Sequence, residues 1–325
     1  HMGEFEMMKK TTSALAIAAL LGTGAASAAT FQVDDNTTFS ISGDVELTYT
    51  DTDTGTGDTQ KIEDAGTEIK FGGEHTSSNG LTTFFHTELN GFDIAGAGDG
   101  SKNDLRGVTS SDTRFGVSGA FGTVTFGDVT TAYDAVGDIA DILAGEGVES
   151  GASGANNQVL QYASPDLNGF TFVIDTQLDA SDDNLNAGRG SEATIRVAYD
   201  LGVATLMAGV AQNESFAGGG ETIGVGATGS VNGVDLGVKF EQVDTSATAD
   251  QDIVAVTAAT SVGGGVGVYG IVNNVSPSTG SSRTEIGLGA TYALADNFGL
   301  HVEQLMYDKA NDEGDYFEVG ATLKF

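Results

Sequence analysis

The sequence predicts an all-β protein, a sixteen-stranded antiparallel transmembrane β-barrel, from three observations. Apolar and polar residues alternate in steps of two through most of the chain, short turns alternate with long polar loops, and a short apolar leader comes first. A period of two is that of a strand with one apolar and one polar face. A tilted transmembrane strand needs about ten such residues.

The leader has the organisation of a secretory signal peptide over residues 7–28. Lys9 and Lys10 precede an apolar run at 13–21, and small residues follow for cleavage after Ala28. The run is too short to cross hydrocarbon as a helix, which disfavours a membrane anchor. Residues 1–6 resemble a cloning scar. Residues 29–325 are therefore predicted to form a single barrel domain.

Composition excludes several classes of protein. With 13 Lys+Arg, 46 Asp+Glu and a formal charge of −33, the chain is not expected to bind nucleic acid through a basic face. The absence of cysteine excludes disulfides and thiol chemistry. After the leader, the sequence has no apolar run of about 20 residues, which excludes helical membrane spans. The 48 glycines and 2 prolines are compatible with many strands and glycine turns.

Apolar and polar residues alternate at both ends of the predicted domain. The apolar positions are Phe39, Ile41, Val45, Leu47 and Tyr49 near the start, and Phe317, Val319, Ala321, Leu323 and Phe325 at the end. A closed barrel pairs the first strand with the last, so Phe325 is not expected at an open edge. Residues 203–211 and 253–259 are apolar on both faces, as expected where a subunit interface or an inward loop covers one side, and the register there is left open.

The connections alternate in length. Short turns are predicted at 77–80, 119–122, 165–169, 200–202, 230–233, 261–265 and 293–297, and longer polar loops near 51–65, 91–111, 129–156, 179–190, 213–221, 243–251, 273–283 and 308–315. Seven turns and eight loops join sixteen strands, as in an even-stranded membrane barrel with short periplasmic turns. A soluble β-sandwich, which alternation alone would permit, gives no reason for this pattern.

Several stretches resemble the Gram-negative general porins. They are residues 112–128, 133–137 and 161–170, together with the terminal Phe325. The resemblance implies a homotrimer of water-filled barrels among the lipids of the bacterial outer membrane, passing small hydrophilic solutes and ions. It also implies that the third loop, about 129–156, folds inward as a constriction, and that Phe325 is an assembly signal for the barrel-assembly machinery.

A pore constriction selects ions by its lining charges. The third loop carries no Lys or Arg, and the resemblance favours Asp141 and Glu146 within an acidic set of Asp134, Asp138, Asp141, Glu146 and Glu149. On the wall, Arg114 matches a porin arginine, whereas Glu68 and Asp44 stand where porins often have basic residues. We therefore expect cation selectivity. Alternate residues of a strand point to opposite faces, and this alternation also places four charged residues on the lumen side, Lys70, Arg196, Lys239 and Arg283.

Alternative functions remain at this point. A sugar-specific channel stays open, while a barrel enzyme would need a Ser or Asp/His arrangement that the four dispersed histidines do not indicate. An inward set rich in Gly, Ser and Thr disfavours a structural or adhesion barrel with a closed lumen. No cofactor or metal centre is expected, although residues 51–58 resemble a calcium loop that lacks the acidic twelfth position and leave a weak surface site open. The acid-rich loops suggest a halophilic or halotolerant source.

Overall fold

The computed structural model describes residues 28–92, 108–145, 147–151, 158–177, 193–212, 220–245, 250–308 and 314–325. The predicted scar, most of the predicted signal peptide and Glu146 lie outside this part. The described strands are β1 Ala29–Asp34, β2 Thr37–Asp53, β3 Asp58–Asp64, β4 Glu68–Thr76, β5 Thr82–Asn90, β6 Thr109–Gly119, β7 Gly122–Gly127, β8 Val159–Ala163, β9 Phe170–Gln177, β10 Ala193–Asp200, β11 Ala204–Gln212, β12 Gly220–Val231, β13 Val234–Thr245, β14 Gln251–Gly263, β15 Val266–Pro277, β16 Arg283–Ala295, β17 Phe298–Tyr307 and β18 Tyr316–Lys324.

These segments form one closed antiparallel barrel of sixteen strands, as predicted. β3 and β4 pair with successive parts of β2 and together make one barrel strand, interrupted at 65–67. β1 pairs with residues 37–41 of β2, beyond the end of β18. β18 closes the ring against β2, and Phe325 and Gly43 exchange two backbone hydrogen bonds of 2.9 Å. The terminal residue is therefore part of the closed sheet.

The alternation separates two faces of the sheet. In β13, Leu236, Val238 and Phe240 are more than two-fifths exposed. Lys239 and Glu241, at the alternate positions of the same strand, are fully buried. The exposed apolar side chains form the surface that a membrane barrel presents to lipid. No helix in the described ranges is long and apolar enough to cross a membrane.

Seven short connections join the strands as predicted, but the predicted loop at 51–65 is wrong. β2 continues to Asp53 and β3 begins at Asp58, so only Thr54–Gly57 connect them. Thr52 pairs with Thr59 and Asp53 with Asp58, and β-branched threonines favour such a ladder. The acidic residues at 51–58 therefore lie mostly on strands, and none belongs to a metal-ligating group among the described residues.

Candidate pore constriction

The described residues among 128–158, which connect β7 and β8, pack against the polar side of the sheet. We call them the β7–β8 segment; it includes the short helix α1, Asp134–Gly137. Its Tyr133 and Val136 are fully buried and form a cluster with Ala211 and, partly, Met207 of β11. Its Ala140, Ile142 and Leu143 pack with Ala255 and Ala259 of β14, among other residues. This packing accounts for the apolar character of 203–211 and 253–259 on both faces.

Glycines on the strands make room for the segment. A Cβ atom added at Gly209 would lie 3.0 Å from Tyr133 Cδ2, and one at Gly224 would lie 2.8 Å from Val136 Cγ1. A Cβ atom at Gly237 would lie 3.0 Å from Ile139 Cγ2. Protein interiors are close-packed, so a methyl group at these positions would have to move the segment. Sequence reasoning took inward glycine as a sign of an open lumen, but these glycines contact protein.

Three buried glutamates of the barrel accept hydrogen bonds from the segment's backbone. Glu303 accepts from the amides of Ala144 at 2.6 Å and Gly145 at 2.9 Å. Glu285 accepts from the Glu149 amide at 2.8 Å, and Glu241 accepts from the Gly151 amide at 3.1 Å. A buried amide without a partner is costly, and charged acceptors are strong ones. Sequence reasoning missed these anchors, although their inward parity was a usable signal.

Two predicted lumen cations also hold the segment. Lys239 and Glu241 are completely buried with Nζ and Oε2 2.7 Å apart, and Lys239 Nζ donates to Ser150 Oγ at 2.8 Å. Arg283 joins Glu149 of the segment at 2.9 Å to Glu285 at 2.8 Å. We call Lys239, Glu241, Arg283, Glu285 and Glu303 the clamped wall. Lys239 therefore does not face water, which corrects the expectation drawn from parity.

Near Arg283 the segment and the barrel line an open pocket of about 440 Å³. Its lining consists of residues 147–150, Arg283, Glu285 and Tyr307.

The acidic residues of the segment differ in burial. Asp134 is 8% exposed, and its Oδ2 accepts a hydrogen bond from the Thr131 amide at 2.9 Å, so it stabilises the turn that precedes α1. Asp138 is half-buried and Asp141 is exposed. Burial, together with repulsion from Asp134 and Asp141, raises the pKa of Asp138 to about 6. Glu146 lies outside the described residues.

Arg196, another predicted lumen charge, is half-buried on β10. It is close enough to Asp138 to favour the ionised carboxylate, as does Lys239. The structure thus associates Arg196 with Asp138 of the segment.

A second group of charges lies on β2, β4, β5 and β6, and its members are partly exposed. Lys70 Nζ bonds Glu68 and lies 3.7 Å from Glu88 and 3.9 Å from Asp44. Arg114 Nη1 lies 3.6 Å from Asp112 Oδ1. Side-chain exposure in this group ranges from 12% to 39%. We call it the open wall; it comprises Asp44, Glu68, Lys70, His86, Glu88, Asp112 and Arg114.

Comparison with known proteins agrees with this geometry. The family model described as Gram-negative porin matches residues 11–315. A "Monosaccharide porin" from a Halomonas species and the "Major outer membrane protein" of Halomonas elongata are each 27% identical over 375 aligned positions, covering 98% of this chain and all of theirs.

Solved structures share the fold at low identity. The Salmonella typhi OmpF complex with daunomycin has a TM-score of 0.72 at 19% identity, over 91% of this chain and all of its own. An anion-selective porin from Comamonas acidovorans has a TM-score of 0.69 at 18% identity, over 89% and 100%. A trimer form of Vibrio cholerae OmpT has a TM-score of 0.66 at 15% identity, over 90% and 100%.

Proposed function

Because the chain belongs to the Gram-negative porin family, we propose that it is a passive diffusion channel for small hydrophilic solutes and ions, with a preference for cations. Its family and barrel fold make it an outer-membrane channel and not an enzyme.

The observation that carries cation preference is the charge left on the open wall. Its carboxylates are those of Asp44, Glu68, Glu88 and Asp112, against the two permanent cations Lys70 and Arg114. The cations of the clamped wall are already neutralised by buried or contacting glutamates. Fixed charges in a narrow pore act strongly on passing ions, so a net acidic lining favours cations.

The β7–β8 segment is the proposed constriction. Support comes from its packing along the polar side of a closed barrel, where its bulk reduces the cross-section. Among its described residues, Asp138 and Asp141 are then the acidic groups that line the pore, while Glu149 is paired with Arg283. Arg114, Glu68 and Asp44 are wall groups that share the lumen. Asp134 contributes structure more than lining charge, because it is buried and hydrogen-bonded.

Reversal potentials in planar bilayers under a KCl gradient test the proposal. We expect a potential whose sign reports K⁺ preference, and a smaller one after Asp141→Asn. An exposed variant, Asp296→Asn in the turn between β16 and β17, provides a matched loss of one carboxylate outside the segment. Anion preference in the unmodified channel would contradict the proposed selectivity.

Assembly as a homotrimer in outer-membrane lipid is a further part of the proposal. It is supported by family membership and by the trimer form of a protein with the same fold. Conductance steps in groups of three would support it.

The role of Phe325 as a signal to the barrel-assembly machinery is supported by its closing hydrogen bonds with Gly43. Deleting Phe325 is expected to lower the amount of assembled barrel in the outer membrane, measured in membrane fractions.

A sugar-specific channel is the second candidate. It is favoured by the similarity to the Halomonas monosaccharide porin and by the pocket at Arg283 and Tyr307. Strong block of the ion current by one monosaccharide, weakened by Tyr307→Ala, would favour it over a general channel.

Two properties of the mature chain complete the proposal. We propose that cleavage after Ala28 removes the leader, which the mass of the protein from outer membranes would test. We also propose a salt-tolerant source, supported by the acidic composition and by relatives from a halotolerant genus. Greater trimer stability in dilute buffer than in molar NaCl would count against that.

A further inference from the structure

Three side chains of the open wall converge in the way that metal ligands do. His86, Glu88 and Asp112 each offer one ligand atom, and these atoms all lie within 4.8 Å of one another. His86 Nε2 and Glu88 Oε1 are already 3.0 Å apart. We propose that these residues bind a divalent transition metal of the zinc class, an activity separate from solute diffusion.

The backbone builds this arrangement from two strands. His86 and Glu88 are two residues apart on β5, so they share a face, while Phe85 is 45% exposed on the other. His86 pairs with Arg114 and Glu88 pairs with Ser111, so residues 112–113 of β6 together oppose Thr87. This is a β-bulge, and such bulges re-aim side chains.

Because of the bulge, Asp112 lies, along the strand direction, between the positions of His86 and Glu88. Asp112 has a φ of 48°, which is uncommon for a residue other than glycine, and its amide donates to Asp128 Oδ2 at 3.2 Å. The hydroxyls of Thr87 and Thr113 are 2.7 Å apart, which ties the two strands together at the same point. The third ligand is thus held by backbone and side-chain contacts on both sides of it.

The ligand types select the metal. One imidazole with two carboxylates suits zinc and its neighbours, whereas magnesium and calcium prefer oxygen ligands alone. Tetrahedral zinc ligands lie about 2.0–2.2 Å from the metal and hence roughly 3.4 Å from one another. Because the three ligand atoms lie within 4.8 Å of one another, a side-chain movement of up to about 1.4 Å is then enough to close the set. Glu88 and Asp112 would balance the two positive charges, and water would complete the fourth position.

Two cations compete with the metal. Lys70 Nζ is 3.7 Å from Glu88 Oε1, and Arg114 Nη1 is 3.6 Å from Asp112 Oδ1. These distances exceed those of good hydrogen bonds, so neither cation holds its ligand carboxylate tightly. Removing Arg114 should therefore strengthen metal binding, a gain that a merely structural role for the cluster would not produce.

Calorimetry of the full chain in detergent, after dialysis against EDTA, tests the site. We expect one Zn²⁺ per chain and much weaker binding of Mg²⁺. His86→Gln should weaken Zn²⁺ affinity by at least about tenfold, the lower end of what changes around metal ligands usually cost. Arg114→Ala should tighten it. His75→Gln removes the exposed β4 histidine that bonds Thr37, and should leave the affinity unchanged.

A channel measurement gives a second readout. Zn²⁺ adds positive charge to the open wall, so it should shift the reversal potential toward anions, reversibly with EDTA and not in His86→Gln. Calorimetry does not depend on conduction, so the metal site and the proposed channel function can fail separately. The absence of Zn²⁺ binding, equal affinity in His86→Gln, or equal affinity for Mg²⁺ would each show that the proposed site is wrong.

Discussion

Lys70 and Lys239 occupy nearly the same local sequence and have opposite surroundings. The stretches are Glu-Ile-Lys-Phe-Gly and Gly-Val-Lys-Phe-Glu, and each lysine bonds a glutamate two residues away. The side chain of Lys70 is 33% exposed, while that of Lys239 is 0% exposed. Strand parity gives both lysines the same direction. What differs is the β7–β8 segment, which covers one and not the other.

The covering of Lys239 depends on small residues around it. Gly237 on the same strand and Gly226 on β12 leave space that Ile139 of the segment fills. Around Lys70, the inward neighbours are Asp44, Glu68 and Glu88, which need water or counter-ions. In the proposed channel the open wall therefore acts on passing ions, whereas the contacts of the clamped wall hold the segment.

The largest expected effect comes from exchanging each lysine for methionine. Lys239→Met leaves Glu241 buried without its cation and should destabilise the barrel by about 3–5 kcal/mol. Lys70→Met removes a partly exposed ion pair and should cost about 0–1 kcal/mol. Thermal and urea unfolding in detergent measure both. Adding Glu241→Leu to Lys239→Met should recover part of the loss, and equal effects of the two single changes would refute the distinction between the walls.

A methyl group between strand and segment is expected to have the next largest effect. Gly224→Ala directs a Cβ atom at Tyr133 and Val136, and overpacking of this kind costs about 1–3 kcal/mol. The segment should shift, which changes single-channel conductance and increases current noise. The matched change on the open wall is Gly72→Ala, whose Cβ atom would meet Ser40 Oγ at 2.9 Å and no part of the segment. A larger conductance change in Gly72→Ala would contradict this packing argument.

Sequence alone predicted the barrel because a membrane imposes the same alternation on every strand. The sixteen strands, the seven short turns and the closure by Phe325 follow from that repetition. The burial of Lys239 does not follow from it, because the burial of a lumen side chain depends on the path of a segment that is distant in the sequence. The loop at 51–65 was also misjudged: its acidic residues suggested solvent, but threonine pairing extends the hairpin through them.

Single charges on the segment and wall should alter selectivity by smaller amounts. Two charges 4 Å apart interact by about 4 kcal/mol at an effective dielectric of 20 and about 1 kcal/mol in water. For a group exposed to the water of the pore the lower value applies, and it corresponds to about a fivefold change in the permeability ratio. Asp141→Asn should reduce cation preference, and Arg114→Ala should increase it, in reversal potentials from 0.1 to 1 M KCl.

Outer-hairpin acids provide the control for this prediction. The double change Asp51→Asn with Asp53→Asn should have an effect that fades as the Debye length falls from about 10 Å at 0.1 M salt to about 3 Å at 1 M. Effects of Asp141→Asn and of the double change that fade together would show that Asp141 does not act at a constriction.

The smallest expected effect is a change of selectivity with pH at Asp138. Its pKa is raised from 3.8 to about 6 by burial and by repulsion from Asp134 and Asp141, while Lys239 and Arg196 oppose the shift. Lowering the pH from 8 to 5 should therefore neutralise Asp138 before most other carboxylates and reduce cation preference. A raised carboxyl pKa means that its contribution to stability is present below 3.8 and is lost as pH rises through about 6. Acid over this range should thus leave the segment in place and the conductance steady while selectivity changes. Asp138→Asn should reduce the selectivity step, and Asp296→Asn should preserve it; a step of equal size in Asp138→Asn would assign the titration to another group.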